Sequence, residues 1–139
     1  MVIDSSVLVA ILRQEEEAKG FALGMKGDPV RLMSAVSLLE TAMVMESKRG
    51  PDGGRELDLL IHKSRIEVVP FDQAQAEIAR RAWQKYGKGR HPAALNLGDC
   101  CAYALAKSSG EPLLFKGEDF PKTDITPKTL QQPMNDPKD

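Results

Sequence analysis

Cysteine and histidine are scarce in this chain of 139 residues, with two of each. Cys100 and Cys101 are neighbours, a placement that suits neither a mutual bridge nor a metal-ligand spacing. A disulfide framework is therefore not expected, and neither is a zinc site. Long apolar runs are also missing, so nothing reaches the length that spans a bilayer. The opening Met1-Val2-Ile3-Asp4 lacks the basic flank and apolar stretch of a secretory signal. These absences predict a protein without a membrane partner, at home in a reducing cytoplasm. An excess of either charge is lacking too. The formal net charge is -1, which argues against tight non-specific binding to nucleic acid unless a local basic patch supplies it. Internal repeats and linkers are absent, and the length suits one domain with its own core.

What is present reads as short strands alternating with helices. Val2-Ile3 is an apolar strand stopped by Asp4, and Ser5 and Ser6 can cap a helix through Leu12. Helices are predicted over 15–25, 34–49, 53–63, 72–86 and 97–106. Strands are predicted over 30–33, 66–69 and 112–115, with a brief edge strand at Asp124-Ile125. Asp72 and Gln75 resemble a capping box. The expected fold class is α/β, one domain over 1–125 with a short, mostly parallel central sheet flanked by helices. The remainder, 126–139, reads as a loosely ordered tail.

Ligands of a parallel sheet collect beyond the carboxyl ends of its strands. Asp4 follows the first strand, and Glu118 and Asp119 follow the strand at 113–115. Asp4 serves as a helix N-cap or as a ligand equally well. Glu40 lies in the row of Val36 and Val44 on an otherwise apolar helix face, where an unpaired charge is costly. Asp99 stands at the third position after Asn96, where capping and metal binding are both open. Carboxylates without Cys or His suit a hard cation, Mg²⁺ or Mn²⁺, which orients a phosphodiester and activates water.

Four segments then carry a resemblance. MVIDSSVLVAIL, SAVSLLETAMVME, LNLGDCCAYALAK and EPLLFKGEDFPKTDI resemble, in order and spacing, the four motifs of PIN-domain ribonucleases. The chain is similar in extent to the VapC branch, the toxins of bacterial type II toxin–antitoxin systems. The resemblance implies a metal-dependent endoribonuclease that cleaves RNA phosphodiesters through metal-activated water and is inhibited by a cognate VapB-type antitoxin. It assigns Asp4, Glu40 and Asp99 as catalytic, metal-holding acids. Asp119 is taken as the fourth, with Glu118 and Asp124 as competitors. Ser5 stands where the family often has Thr, and Ser6 is a candidate neighbour of metal or substrate.

The segment 80–91 holds five Lys or Arg residues with no acid, and it carries Trp83 and Tyr86. Lys88 and Arg90 are candidate RNA contacts, beside aromatics that could stack on bases. Met25, Met43 and Met45 beside Phe21 and Leu38 predict a homodimer surface. Two other readings remain open here: a receiver-like phosphoacceptor domain, and a catalytically weak PIN-like RNA-binding module.

Overall fold

Val2 and Ile3 form the central strand β1, and their side chains leave it in opposite directions. Val2 joins one apolar cluster; Met1 and Ile3 join a second on the other face. A sheet that buries both faces needs helices on both sides, and the computed structural model, which describes residues 1–130, shows that arrangement. The order along the chain is β1 (Val2–Ile3), α1 (Ser5–Leu12), α2 (Ala18–Lys26), β2 (Leu32–Ser34), α3 (Ala35–Arg49), α4 (Pro51–Lys63), β3 (Glu67–Val69), α5 (Gln73–Tyr86), α6 (Leu97–Ser109) and β4 (Leu113–Leu114). One turn of 3-10 helix follows at Phe120–Lys122.

The four strands are all parallel, in the order β3-β2-β1-β4. The chain therefore steps outward from β1 to β3 on one side and returns to pair β4 on the other. That reversal opens a crevice between the carboxyl ends of β1 and β4. Helices α5 and α6 cover one face, packed through Ala79, Ala82, Tyr86 and the buried run of α6 from Cys100 to Ala106. Helices α1, α2 and α4 supply Val7, Leu8, Phe21, Met25 and Leu57 to the other. Met25, Met45 and Phe21 are thus core residues, so they leave the expected docking surface. Leu39 and Met43 of α3 remain well exposed.

Four local expectations are corrected. Asp124 and Ile125 form no strand; instead Thr126 accepts from the Leu113 N–H and Lys128 donates to the Leu113 carbonyl, bridging Pro127 to β4. Residues 126–130 are consequently tied to the domain rather than a loose tail, with Leu130 packed on the second cluster. The rest of that tail, 131–139, lies outside the described residues. At α5, Asp72 caps the Gln75 N–H, but the Gln75 amide donates to the Pro70 carbonyl, so no reciprocal box forms. Helix α2 begins at Ala18 rather than at Glu15, and Glu15 and Glu17 before it are paired with Lys116.

Candidate active site

Asp4 ends β1 and opens α1. Its backbone N–H donates to the Leu114 carbonyl at 3.0 Å, so β4 fixes where the residue stands. One carboxylate oxygen accepts from the Ser6 N–H at 3.1 Å and the Ser6 hydroxyl at 2.6 Å. Asp4, rather than the serines, is therefore the N-cap of α1. Its other oxygen, Oδ1, is buried without any partner. A buried acceptor left unmatched costs about 1–3 kcal/mol, and an anionic one more.

Three further acids line the same cavity of about 280 Å³. Glu40, in the middle of α3, accepts from the Ser5 hydroxyl at 2.5 Å. A Cβ at position 98 would overlap the Glu40 carboxylate, so the glycine that starts α6 lets this acid approach. Asp99 accepts from the Asn96 N–H at 3.0 Å while Asn96 caps the Asp99 N–H at 2.9 Å. This reciprocal cap occupies one Asp99 oxygen only, so capping and lining the cavity coexist. Asp119 lies at the end of the loop after β4, anchored by Phe120, which is buried and packs on Phe115.

The electrostatics record the crowding. Burial, with the negative charges of Asp99 and Glu40, pushes the Asp4 carboxyl up to about 6. Burial also raises Asp99, with Glu40 and Asp119 adding to it. Among the described residues, Lys116 is the only cation on the cavity wall, and its ammonium is drawn off to Glu15 and Glu17. Its backbone N–H donates to the Ser6 hydroxyl at 3.0 Å, completing a relay that orients Asp4.

Such a donor set fits a hard divalent cation. It offers oxygens alone, and the orphaned Asp4 Oδ1 faces no protein donor. Among the described residues, no three Asp, Glu, His or Cys side chains form a ready-made chelate. Mg²⁺ in particular retains several waters and needs only one or two direct carboxylates.

Of the competing fourth acids, Asp119 is the one on the cavity wall. Glu118 is exposed and does not line it, and Asp124 is committed to the Tyr103 hydroxyl at 2.6 Å and to Lys107 at 3.1 Å. Ser6 orients Asp4. Lys88 and Arg90 do not line the cavity; Arg90 lies 4.2 Å above the Trp83 ring, which is exposed. Tyr86 is buried in the core, so the expectation that it stacks on bases is withdrawn. Sequence reasoning missed the roles of Lys116, Gly98 and the Ser5 contact to Glu40. Each sits within two residues of a recognised acid or strand end, which was the available signal.

A second, wider cavity of about 640 Å³ lies between α3, α4 and β3, edged by Leu38, Ile61 and His62. Isolated charges of both signs surround it, without the clustering seen around Asp4.

A model of the PIN domain matches residues 1–125. Among curated proteins, the chain is 54% identical over 130 residues to ribonuclease VapC30 of Mycobacterium tuberculosis, covering 94% of this chain and 99% of that one. It is 57% identical over 125 residues to the ribonuclease VapC of Mycolicibacterium smegmatis, covering 90% and 97%. Among solved structures, the fold is similar to that of Mycobacterium tuberculosis VapC20, described as a Sarcin-Ricin loop cleaving toxin. The TM-score is 0.75 at 16% identity, over 94% of this chain and 98% of that one. VapBC2 from Rickettsia felis, bound to a promoter DNA fragment, gives a TM-score of 0.68 at 14% identity over 94% and 98%.

Proposed function

The chain belongs to the PIN-domain family, and on that premise we propose that it is a metal-dependent endoribonuclease, the toxin of a toxin–antitoxin pair. The observation that carries the reading is the convergence of Asp4, Glu40, Asp99 and Asp119 on one cavity at the sheet's switch point. Relatives of more than half identity are named as ribonucleases over nearly their whole length. A receiver-like phosphoacceptor is left without support by the family match, and a weakened binding module is disfavoured by the intact acidic set.

Asp4, Asp99, Glu40 and Asp119 would hold Mg²⁺ or Mn²⁺. Bound there, the cation supplies charge neutralisation at the phosphate and acidification of water. The protein's own residues prepare the place. The Ser6 hydroxyl and the Lys116 N–H aim Asp4, the Ser5 hydroxyl holds Glu40, and the Asn96 cap holds Asp99 at the rim. Lys88 and Arg90 border the route from α5 to Asn96 and are proposed to meet RNA outside the cavity.

The proposed partners are RNA, a VapB-type antitoxin and a second copy of the chain. An antitoxin arginine would match the uncompensated carboxylates as a planar fork. The exposed Leu39 and Met43 of α3 form the proposed self-association surface. No helix among the described residues is long and apolar enough to cross a membrane, and a cytoplasmic location is proposed.

The test is RNA cleavage by the purified chain with Mg²⁺ or Mn²⁺. Asp99→Asn and Asp119→Asn are expected to lose activity, whereas Glu118→Gln keeps it. Full cleavage by Asp99→Asn at saturating metal would sink the assignment.

A further inference from the structure

The basic stretch 80–91 divides between two surfaces once it is folded. Trp83 and Arg90 stack on one side. Arg81 and Lys85, one turn apart on α5, face α6 on the other, across a cavity of about 350 Å³ that also receives Lys107. The remaining polar wall is Asp124 and the rim of Tyr86 and Tyr103. Three cations therefore surround a concavity containing one carboxylate, in a chain whose net charge is -1.

The single acid does not discharge the group. Asp124 takes the Tyr103 hydroxyl at 2.6 Å and Lys107 at 3.1 Å. Among the described residues, neither Arg81 nor Lys85 has a carboxylate within ion-pair distance. Like charges four residues apart on a helix weaken it by a few tenths of a kcal/mol. The arrangement is sustained against that cost, and it is held on two helices locked into the core.

We propose that this cavity binds backbone phosphates of the RNA substrate, away from the bond that is cut. The inference rests on the reading of the acidic pocket as a ribonuclease site. RNA is favoured over an acidic protein because α6, which forms one wall of the cavity, also carries Asp99 of the acidic pocket. Helix α6 carries Asp99 in its first turn and Lys107 in its last. Eight residues of helix separate them by about 12 Å along the axis. The two sites are thus held at a fixed separation, and a substrate must be long enough to reach both.

The experiment uses the cleavage-disabled Asp99→Asn chain and a single-stranded RNA of about 12 nucleotides, within the span such grooves cover. Affinity is measured by fluorescence anisotropy over a range of salt. Each lost phosphate contact on a single strand lowers the salt slope by about 0.7. Arg81→Gln, Lys85→Gln and Lys107→Gln combined are expected to lower the slope by about 2 and weaken binding at least about tenfold at low salt. The charge-keeping set Arg81→Lys, Lys85→Arg and Lys107→Arg restores both, which separates charge from folding. An unchanged slope and affinity in the neutral variant overturns the proposal. So does loss of binding to inorganic phosphate, or to a polyglutamate peptide, without any change toward RNA. Those results assign the cavity to a free anion or to an acidic protein. A parent that binds RNA but never cuts it in its undisabled form faults the ribonuclease reading alone; a parent that binds no RNA overturns both.

Discussion

The two ends of β1 hold carboxylates in opposite circumstances. At the start, the ammonium of Met1 donates to Glu111 at 2.7 Å and to Asp28 at 3.4 Å, and Lys128 reaches Asp28 at 3.0 Å. The Val30 N–H donates to the same aspartate, and together these donors hold Asp28 down to about 2. At the other end, Asp4 is pushed up to about 6 by burial beside Asp99 and Glu40. One aspartate is matched and stabilises the fold; the other is left uncompensated. Surplus negative charge at a strand end costs stability, and in the proposed function it is kept because a cation and a phosphodiester would be handled there.

The sharpest way to break this contrast is to neutralise one aspartate at each end. Asp4→Asn is expected to lower RNA cleavage by at least about 100-fold, since changes even one layer outside a metal site cost 10–100-fold. Asp28→Asn leaves cleavage within about twofold, because Asp28 touches no part of the pocket. Comparable losses in the two variants, measured as kcat/KM on one RNA, would erase the distinction.

Stability should respond in the reverse sense. Asp4 has a raised pKa, so its contribution is most favourable below about pH 4 and is lost as pH rises through about 6. Metal-free Asp4→Asn, whose amide oxygen can still cap Ser6, should therefore exceed the parent by about 1–3 kcal/mol at pH 7.5 and lose that advantage near pH 4. Asp28 has a lowered pKa, so its contribution is present above about pH 4 and is lost toward pH 2. Asp28→Asn should cost about 1–2 kcal/mol at pH 7.5. Urea unfolding at both pH values measures each difference.

A smaller effect is expected where the pocket is only oriented. Ser5→Ala frees Glu40 and should reduce kcat about tenfold, with Ser5→Thr restoring it because the hydroxyl is kept. An unaltered kcat in Ser5→Ala would show that Glu40 needs no anchor. Smallest is self-association. Leu39→Lys with Met43→Lys should halve the mass seen by light scattering and leave the metal-free melting temperature nearly unchanged, since both residues are exposed. A parent that is already a monomer at micromolar concentration would remove α3 from the account.

Much of the fold was legible because period and punctuation agree. Gly50-Pro51 marks the break between α3 and α4, and Asn96 and Asp99 form the cap that their spacing suggested. The acids were legible because carboxylates on apolar segments are rare. What escaped notice depends on tertiary approach. Gly98 looks like any helix-start glycine until Glu40 is found against it. Lys116 looks like any loop lysine until its ammonium is found on Glu15 and Glu17 and its backbone N–H on the Ser6 hydroxyl. Tyr86 looks like a stacking platform until α6 buries it. The methionines of α2 and α3 divide between core and surface on helical phase, which a count of apolar residues ignores.

Direct Mn²⁺ binding to the full chain, followed by electron paramagnetic resonance without RNA, tests the central claim most closely. A proton and the cation compete for Asp4, so affinity should weaken up to about tenfold for each pH unit below about 6 and level off above it. Asp4→Asn should bind weakly and without that pH dependence, while Asp28→Asn binds as the parent does. Equal affinity at pH 5 and pH 7.5, or full binding by Asp4→Asn, would contradict the assignment of this pocket as the metal site.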